Sequence, residues 1–245
     1  MIGTTWQGRV AVLTLDRPEK RNALTVALCT ALRGAVADAL SGGARALVLT
    51  GRGTSFCAGA DLDDVHTPDF RAALRAMLDA VVAAPVPVVA AVNGPAIGAG
   101  TQLAVAADLR VGAPDARFAV PTARIGLAVD PWTIRRVAHL AGSGTARALL
   151  LGAAELDLDR AVAAGLVDRR GGPADAVAWA VTMTDLAPLT VAYSKQVLND
   201  IGEPDPDGVR ASRAEAAFEA CWASQDVAEG RRARAERRAP VFRGR

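Results

Sequence analysis

Apolar and polar positions alternate over residues 6–15, where Val10, Val12 and Leu13 are apolar and Arg9 and Thr14 polar, and this period predicts a strand. Arg17-Pro18-Glu19-Lys20-Arg21-Asn22 reads as a turn. Thr25 then caps a predicted helix reaching about residue 40, with Leu28, Leu32, Val36 and Leu40 on one face and Gly42-Gly43 at its end. The apolar run 46–50 predicts a buried strand. Residues 69–84 predict a helix stopped by Pro85 and Pro87, and 88–92 another buried strand. A helix over 97–106 and a short strand over 108–111 follow. This alternation of strands and helices predicts an α/β fold with parallel pairing and right-handed crossovers.

From Asp130 onward the pattern predicts helices only, at 131–140, 144–151, 159–164, 173–186 and 188–199. A loop rich in Gly, Pro and Asp covers 201–208. A final helical stretch runs from 209 to about 238, anchored by Phe218, Cys221 and Trp222.

Two small-residue stretches interrupt this pattern, each directly after a strand-like run. They are Ser55-Phe56-Cys57-Ala58-Gly59-Ala60-Asp61-Leu62 and Asn93-Gly94-Pro95-Ala96-Ile97-Gly98-Ala99-Gly100-Thr101-Gln102. Turns built from Gly and Ala let two backbones approach a ligand closely. Their N–H groups can then converge on one carbonyl oxygen, as an oxyanion hole requires.

At 245 residues, 51% hydrophobic and 22% charged, the composition is that of an ordinary globular chain with a sizeable core. A net charge of +2 gives no argument for nucleic acid. The basic residues nevertheless crowd the end, where Arg231, Arg232, Arg234, Arg237, Arg238, Arg243 and Arg245 fall within the last 15 residues. Two readings stand for that tail: a solvated segment, or a contact with an anionic ligand or a neighbouring subunit. Cys29, Cys57 and Cys221 are odd in number and fit no metal spacing, so reduced thiols in a cytoplasmic protein are expected. With only His66 and His139, a multi-histidine metal centre is not expected. No charged leader with an apolar stretch behind it is visible, so no secretory signal is expected. The longest apolar run, 80–92, is broken by two prolines and is too short to span a bilayer.

Several segments in order carry a family resemblance. Leu15-Asp16-Arg17-Pro18-Glu19-Lys20-Arg21-Asn22-Ala23-Leu24 resembles the entry motif of the enoyl-CoA hydratase/isomerase (crotonase) superfamily. Phe56-Cys57-Ala58-Gly59-Ala60-Asp61-Leu62 and the stretch from Asn93-Gly94 to Gly98-Ala99-Gly100 resemble its two oxyanion-hole motifs. Ala116-Arg117-Phe118 to Gly126-Leu127 is similar to the next family block, and Glu236 to Arg245 to its C-terminal signature. The resemblance covers essentially the whole chain. It implies a spiral core of ββα units over residues 1–187 and a C-terminal helical trimerisation region over 188–245. It implies a homotrimer or a hexamer made as a dimer of trimers, and an acyl-CoA thioester as ligand with no separate cofactor or metal. Carried over by position, the oxyanion hole would be the N–H groups of Ala58 and Ala99. The coenzyme A would run near Arg21, Ala23, Leu24, Gly59, Ala60, Asp61 and Leu62, with Lys20 or Arg21 near the phosphates. Arg237 matches a basic position that reaches the coenzyme A of a neighbouring subunit.

Hydratases of the family use two glutamates, because adding water across a double bond both adds and moves protons. By motif position these are Gln102 and Thr122 here, neither of which titrates usefully near neutral pH. In this the chain is similar to the hydratase-like paralogues of actinobacteria that lack both glutamates. Asp130 offers an alternative. Gly126-Leu127-Ala128-Val129-Asp130 resembles the block that carries the active-site carboxylate of some isomerases in the superfamily. Asp130-Pro131-Trp132-Thr133 also reads as an N-cap followed by Pro at the first helical position. Trp132 stands where many relatives have a small residue, and either fills the space water needs or packs a helix. Cys57 and Tyr193 read as packing, His139 as core or interface, Asp61 and Asp63 as a structural or coenzyme-A-proximal pair, and His66 as a polar loop residue. Three functions follow as expectations. One is an acyl-CoA-binding protein with impaired hydration, acting in fatty acid or lipid metabolism with a lipid-synthesis enzyme as possible partner. The second is an active hydratase or isomerase using Asp130. The third is an interaction subunit with a vestigial pocket.

Overall fold

A computed structural model describes residues 1–61, 63 and 65–245; Leu62, one of the sequence-predicted ligand residues, lies outside the described residues. The chain opens with an antiparallel pair, β1 (Ile2–Gln7) and β2 (Val10–Leu15), instead of one strand over 6–15. The turn between them rests on Gly8, at φ 59°, a backbone position open to glycine without strain. β1 presents an exposed face, so it lacked the apolar signal that marked β2.

Thr25 caps α1 (Val26–Ser41), its side-chain oxygen accepting from the Leu28 N–H at 3.1 Å, and one face of the helix is buried through Leu28, Leu32 and Val36. β3 (Ala46–Gly51), α2 (Pro68–Ala83) and β4 (Val88–Val92) follow. Next come β5 (Pro95–Ile97), α3 (Ala99–Ala106), β6 (Leu109–Gly112) and β7 (Arg117–Ala119). α3 starts two residues later than expected because Pro95–Ile97 pairs with β7 as a strand.

The half after Asp130 is not purely helical. α4 (Pro131–Leu150) is broken at Gly142, whose non-helical φ of 78° and ψ of 153° divide it into the two helices expected there. β8 (Glu155–Asp157) and α5 (Leu158–Ala163) follow, then β9 (Arg169–Arg170) and α6 (Pro173–Met183). Strands of two or three residues are too short to leave a periodic signal. α7 (Pro188–Asp200), α8 (Val209–Ala223) and α9 (Gln225–Glu236) close the chain, and an extended Ser224 breaks the single helix expected over 209–238.

Six strands form one sheet in the order β1-β2-β3-β4-β6-β9, parallel from β2 onward, and β5-β7-β8 form a second. Alternate residues of the central strands face two cores. Leu47, Leu49, Val88, Ala90 and Val92 join the large core with α1, α2 and α3. Ala46, Val48, Val89, Ala91 and Val111 pack against Ala176, Val177 and Ala180 of α6. Burial on both faces explains why β3 and β4 read as continuous apolar runs. The architecture is thus mixed α/β with helices at the C-terminal end, as expected. Among the described residues no single helix is long and apolar enough to cross a membrane.

Arg110 on β6 is the largest side chain of the interior, with 1% of its surface exposed. Its guanidinium donates to Leu166 O, Ala107 O at 3.0 Å and Asp108 O at 3.2 Å, and pairs with Asp168 at 3.4 Å. It ties the end of α3 to the segment before β9. Burial lowers its pKa to about 10, so it stays charged at neutral pH. Removing it strands these acceptors and one carboxylate. Arg110→Ala should cost about 3 kcal/mol and lower the melting temperature by roughly 6–12 °C. Scanning calorimetry checks this, and an unchanged melting temperature would count against the tie.

Candidate functional site

The site begins with two turns that touch through their backbones. The Cys57 N–H donates to Pro95 O at 3.1 Å, and the Ile97 N–H donates back to Cys57 O at 2.9 Å. This stitches the first small-residue stretch to β5. A Cβ on Gly94 would lie 2.0 Å from Thr54 O, and one on Gly100 2.1 Å from Cys57 O. Only glycine fits at either position. Gly98, at φ 53°, then bends the chain into α3, and the Thr101 hydroxyl, shared between Ala96 O at 2.6 Å and Ala119 O at 2.9 Å, holds the bend.

Asn22 anchors the entry motif to the first turn. Completely buried and at φ 58°, it accepts from the Arg17 N–H at 3.0 Å and donates to Arg52 O at 3.0 Å and Ser55 O at 2.8 Å. Arg17 donates to Ala23 O at 3.1 Å and pairs with Asp61 at 2.6 Å. That guanidinium, helped by the Asp63 N–H, holds the Asp61 carboxyl below its ordinary range. Asp61 is therefore a strut between two loops. Lys20 and Arg21 are exposed, Leu24 is part of the core, and none of Lys20, Arg21, Ala23 and Leu24 lines the cavity described below.

The N–H assignment at the first turn needs correction. The Ala58 N–H already donates to Arg21 O at 2.9 Å, so it is not free for a ligand. Two residues on, Leu24 N–H donates to Gly59 O at 2.7 Å and Asp61 N–H donates to Leu24 O at 2.8 Å, in a parallel bridge between Leu24 and Ala60. In such a bridge the N–H of the central residue, Ala60, points away from the partner strand. Ala99 is the first residue of α3, where a helix leaves its N–H groups without intrahelical acceptors. Ala60 and Ala99 both line one cavity, and a Cβ on Gly59 would lie 3.8 Å from the Ala99 nitrogen. The geometry thus favours Ala60 over Ala58.

That cavity has a volume of about 590 Å³. Ile97 and Ala99 form one side, and Ile125, Leu127 and Val129 another. Phe70, Leu74 and Leu78 of α2 form a third, at i, i+4, i+8 spacing that was legible in the sequence as one helical face. His66, Arg71, Arg75 and Arg124 add basic character. Among the described lining residues Asp130 is the one carboxylate.

Gln102, Thr122 and Asp130 all line this cavity. Asp130 is the N-cap of α4: its Oδ1 accepts from the Thr133 N–H at 3.1 Å. Its Oδ2 accepts from the Thr133 hydroxyl at 2.6 Å and from Gln102 Nε2 at 2.9 Å, and Arg75 lies 3.7 Å from Oδ1. Two hydrogen bonds thus engage Oδ2 and one engages Oδ1, with the Arg75 charge beside it. Thr133 and Arg75 were not foreseen as partners. Trp132 turns away: it lies under the Arg75 guanidinium, 5.6 Å from the ring centroid, and lines a separate cavity beside Tyr193. Of its two expected roles, the structure shows packing and no place in this cavity's lining, because the first turn of α4 directs residue 132 toward α2.

Cys57 is fully buried, and burial pushes its thiol up to about 12, so it is no nucleophile. His139 is exposed rather than in the core. Tyr193 packs against Phe218 with ring centroids 5.9 Å apart. Among the described residues no group of three or more His, Cys, Asp or Glu is placed to hold a metal ion. Arg237 is exposed and caps α9, outside the cavity lining. The tail after it folds back: Val241 N–H donates to Glu229 at 2.9 Å, and Arg243 and Gly244 N–H groups donate to Asp226 at 2.8 and 2.9 Å. Arg238, followed by the Val241 N–H, pulls the Glu229 carboxyl down to about 2.

Comparison with known proteins agrees with this geometry. The family described as Enoyl-CoA hydratase/isomerase matches residues 5–245. The chain is 48% identical over 245 residues to "Probable enoyl-CoA hydratase echA6" of Mycobacterium tuberculosis (strain CDC 1551 / Oshkosh), covering 100% of both. It is 32% identical to a crotonyl-CoA hydratase of Syntrophomonas wolfei subsp. wolfei, over 96% of this chain and 94% of that one. The crystal structure of an enoyl-CoA hydratase from Bacillus anthracis superposes with a TM-score of 0.88 at 26% identity, covering 100% of this chain and 99% of that one.

The contact at Gly100 yields a direct test. A methyl there meets a carbonyl oxygen that cannot swing aside, so α3 must shift from the first turn. Gly100→Ala should destabilise the protein by about 1–3 kcal/mol, read as a lower denaturation midpoint. A variant as stable as the parent would show that the two turns are not in fixed contact.

Proposed function

The chain belongs to the enoyl-CoA hydratase/isomerase family, and on that premise we propose that it binds acyl-CoA thioesters and hydrates them poorly. The thioester carbonyl would sit between the Ala60 and Ala99 N–H groups, which stabilise negative charge on its oxygen. The acyl chain would lie along Phe70, Leu74 and Leu78. The observation that carries this reading is the state of Asp130. It is the one carboxylate among the described lining residues, and its oxygens are engaged by Thr133, Gln102 and Arg75. Donors and a cation around a carboxylate stabilise its charged form and make it a weaker base.

Gln102 and Thr122 stand where hydratases of this family carry their glutamates. An amide orients water but takes no proton, and an alcohol is too weak an acid and base to replace a carboxyl group. The engagement of Asp130 argues against the isomerase reading as well. The intact close contacts at Gly94 and Gly100 argue against a vestigial pocket. A protein that holds an acyl-CoA without consuming it suits lipid metabolism as a carrier that presents the thioester to a partner enzyme.

Hydration of crotonyl-CoA should be slowed by a factor on the order of 100–10,000 for each missing acid–base group. Calorimetric titration should nevertheless detect acyl-CoA binding. A kcat above about 10 per second on crotonyl-CoA, the median for enzymes, would sink the proposal.

Arg237 belongs to the same reading, within a homotrimer or a dimer of trimers. The anchored tail holds it at a fixed place on the surface, where a neighbouring subunit's coenzyme A phosphates would meet it. Exposed ion contacts are modest and screened by salt. Arg237→Ala should weaken acyl-CoA binding about two- to fivefold at low ionic strength, the scale of an exposed ion pair, and less at high salt. Equal affinities for parent and variant at both ionic strengths would remove Arg237 from the site.

A further inference from the structure

We infer that a second cavity, between α4 and α7, binds a free aliphatic carboxylic acid, with the carboxylate on Arg136 and the chain along an apolar wall. The inference goes beyond the acyl-CoA reading above and does not rest on it. This cavity has a volume of about 380 Å³, within the range of small-molecule sites. Pro87, just before β4, and Asp108 and Leu109, where β6 begins, contribute to it, together with residues of α4 and α7. The first cavity is built on the turns that follow β3 and β4, at the opposite ends of these parallel strands.

Asp108, Arg136 and Lys195 meet in this cavity, and their partners decide which of them is available. Lys195, 8% exposed, gives its N–H groups to Asp108 Oδ2 at 2.9 Å, Val86 O at 3.0 Å and Val81 O at 3.3 Å. The same Asp108 oxygen accepts from the Val88 N–H at 2.8 Å. That pair is closed and neutral. Arg136 is left over. Its Nε donates to Val105 O, near the end of α3, at 3.0 Å. Among the described residues no carboxylate or carbonyl reaches its two Nη groups. The fully buried side-chain polar atom without a partner among them is Gln196 Nε2, so the Nη groups of Arg136 are not sealed in protein and reach the open space that Arg136 lines. Burial presses the Arg136 pKa down and Asp108 opposes this, but a guanidinium keeps its charge. His139, at the exposed rim, brings no negative charge. An unpaired cation in such surroundings is unfavourable, and one anion relieves it.

The remaining walls select the anion. Leu140, Met183, Leu186, Val191 and Leu198 line the cavity, and Leu186 and Leu198 are 49% and 56% exposed. Such a surface gains by being covered with apolar carbon. A carboxylate docks on the two Nη groups side by side, and an aliphatic chain lies on the leucines. The single uncompensated charge matches a monoanion, whereas a phosphate dianion would bring a second charge with no cation to meet it. The acidic side chain of another protein has too short a stem to fill the space or cover this wall. The acyl end of a thioester carries no anion, so the site distinguishes the free acid from its coenzyme A ester.

The test titrates sodium octanoate into the full-length protein by calorimetry, alone and with saturating octanoyl-CoA present. Octanoate should bind with a Kd on the order of 0.1–1 mM, a usual strength for so small a ligand. Octanol, of the same length but uncharged, should bind about tenfold more weakly, because it forgoes the charge-assisted pair. Arg136→Met should abolish that preference, and Arg136→Lys, which keeps the charge but not the fork, should retain part of it. Arg136 also holds α3 through Val105, so Leu198→Glu carries the test if Arg136→Met does not fold. It places a carboxylate on an exposed stretch of the wall and should weaken octanoate about fivefold or more by repulsion. No binding of octanoate to the parent overturns the inference, as does an unchanged affinity in Leu198→Glu or an equal affinity for octanol. Displacement of octanoate by octanoyl-CoA assigns it to the first cavity and overturns the inference as well. A changed oligomer size in Leu198→Glu, read by sedimentation, with no octanoate bound by the parent, gives this face to a neighbouring subunit instead. If octanoate binds at Arg136 and octanoyl-CoA does not bind at all, the acyl-CoA reading falls and this one stands.

Discussion

The contact between two backbones at Gly94 and Gly100 is the constraint on which the rest of this structure depends. At each position the space for a Cβ is occupied by a carbonyl oxygen of the facing turn, at 2.0 and 2.1 Å. Such an approach requires strands β3 and β4 to lie side by side and to release their chains at the same end of the sheet. It also requires the first turn to be braced from behind, a task that falls to Asn22 and the Arg17–Asp61 pair. The apolar strands, the buried asparagine and the two ion-paired loops are thus conditions for one close contact. The N–H groups of Ala60 and Ala99 are brought together as its consequence.

A second constraint joins folding to chemistry at Asp130. Helix α4 needs an acceptor for its first free N–H groups, and Asp130 provides it through Thr133. A cap of this kind stabilises a protein by about 1 kcal/mol. The same carboxylate faces the cavity. A hydroxyl and an amide have closed around it, and it organises the wall of the site. Structural and chemical roles draw on the same lone pairs of this carboxylate.

Much of this was legible in the residues, and the failures have physical causes. The caps Thr25 and Asp130 and the strands β3 and β4 follow local rules, and the structure shows them where those rules put them. Gly94 and Gly100 marked close approach as glycines in strand-to-helix turns do. The first N–H was misplaced by two residues because a bridge between Leu24 and Ala60, 36 positions apart, decides which amides are free. Local pattern carries no information on that pairing. Trp132, for which two readings stood, was settled by a related geometry. Its neighbour Asp130 faces the cavity, but two residues along a helix turn the chain by about 200°, which sends the indole toward Arg75 on α2. The short strands β8 and β9 owe their existence to their partners β7 and β6, and no period within two or three residues announces them.

The polarity of the cavity is the property least visible in the residues and most dependent on the fold. Gln102 in isolation is both donor and acceptor. Here Asp130 and the Thr133 oxygen both face one end of the amide, and together they fix that end as the NH₂ group. Each link removes one degree of freedom from the next. The carboxylate sets the hydroxyl, and the hydroxyl sets the amide. Replacing a glutamate by a glutamine at such a position removes a titratable proton, and the direction of the amide that remains is decided by its partners.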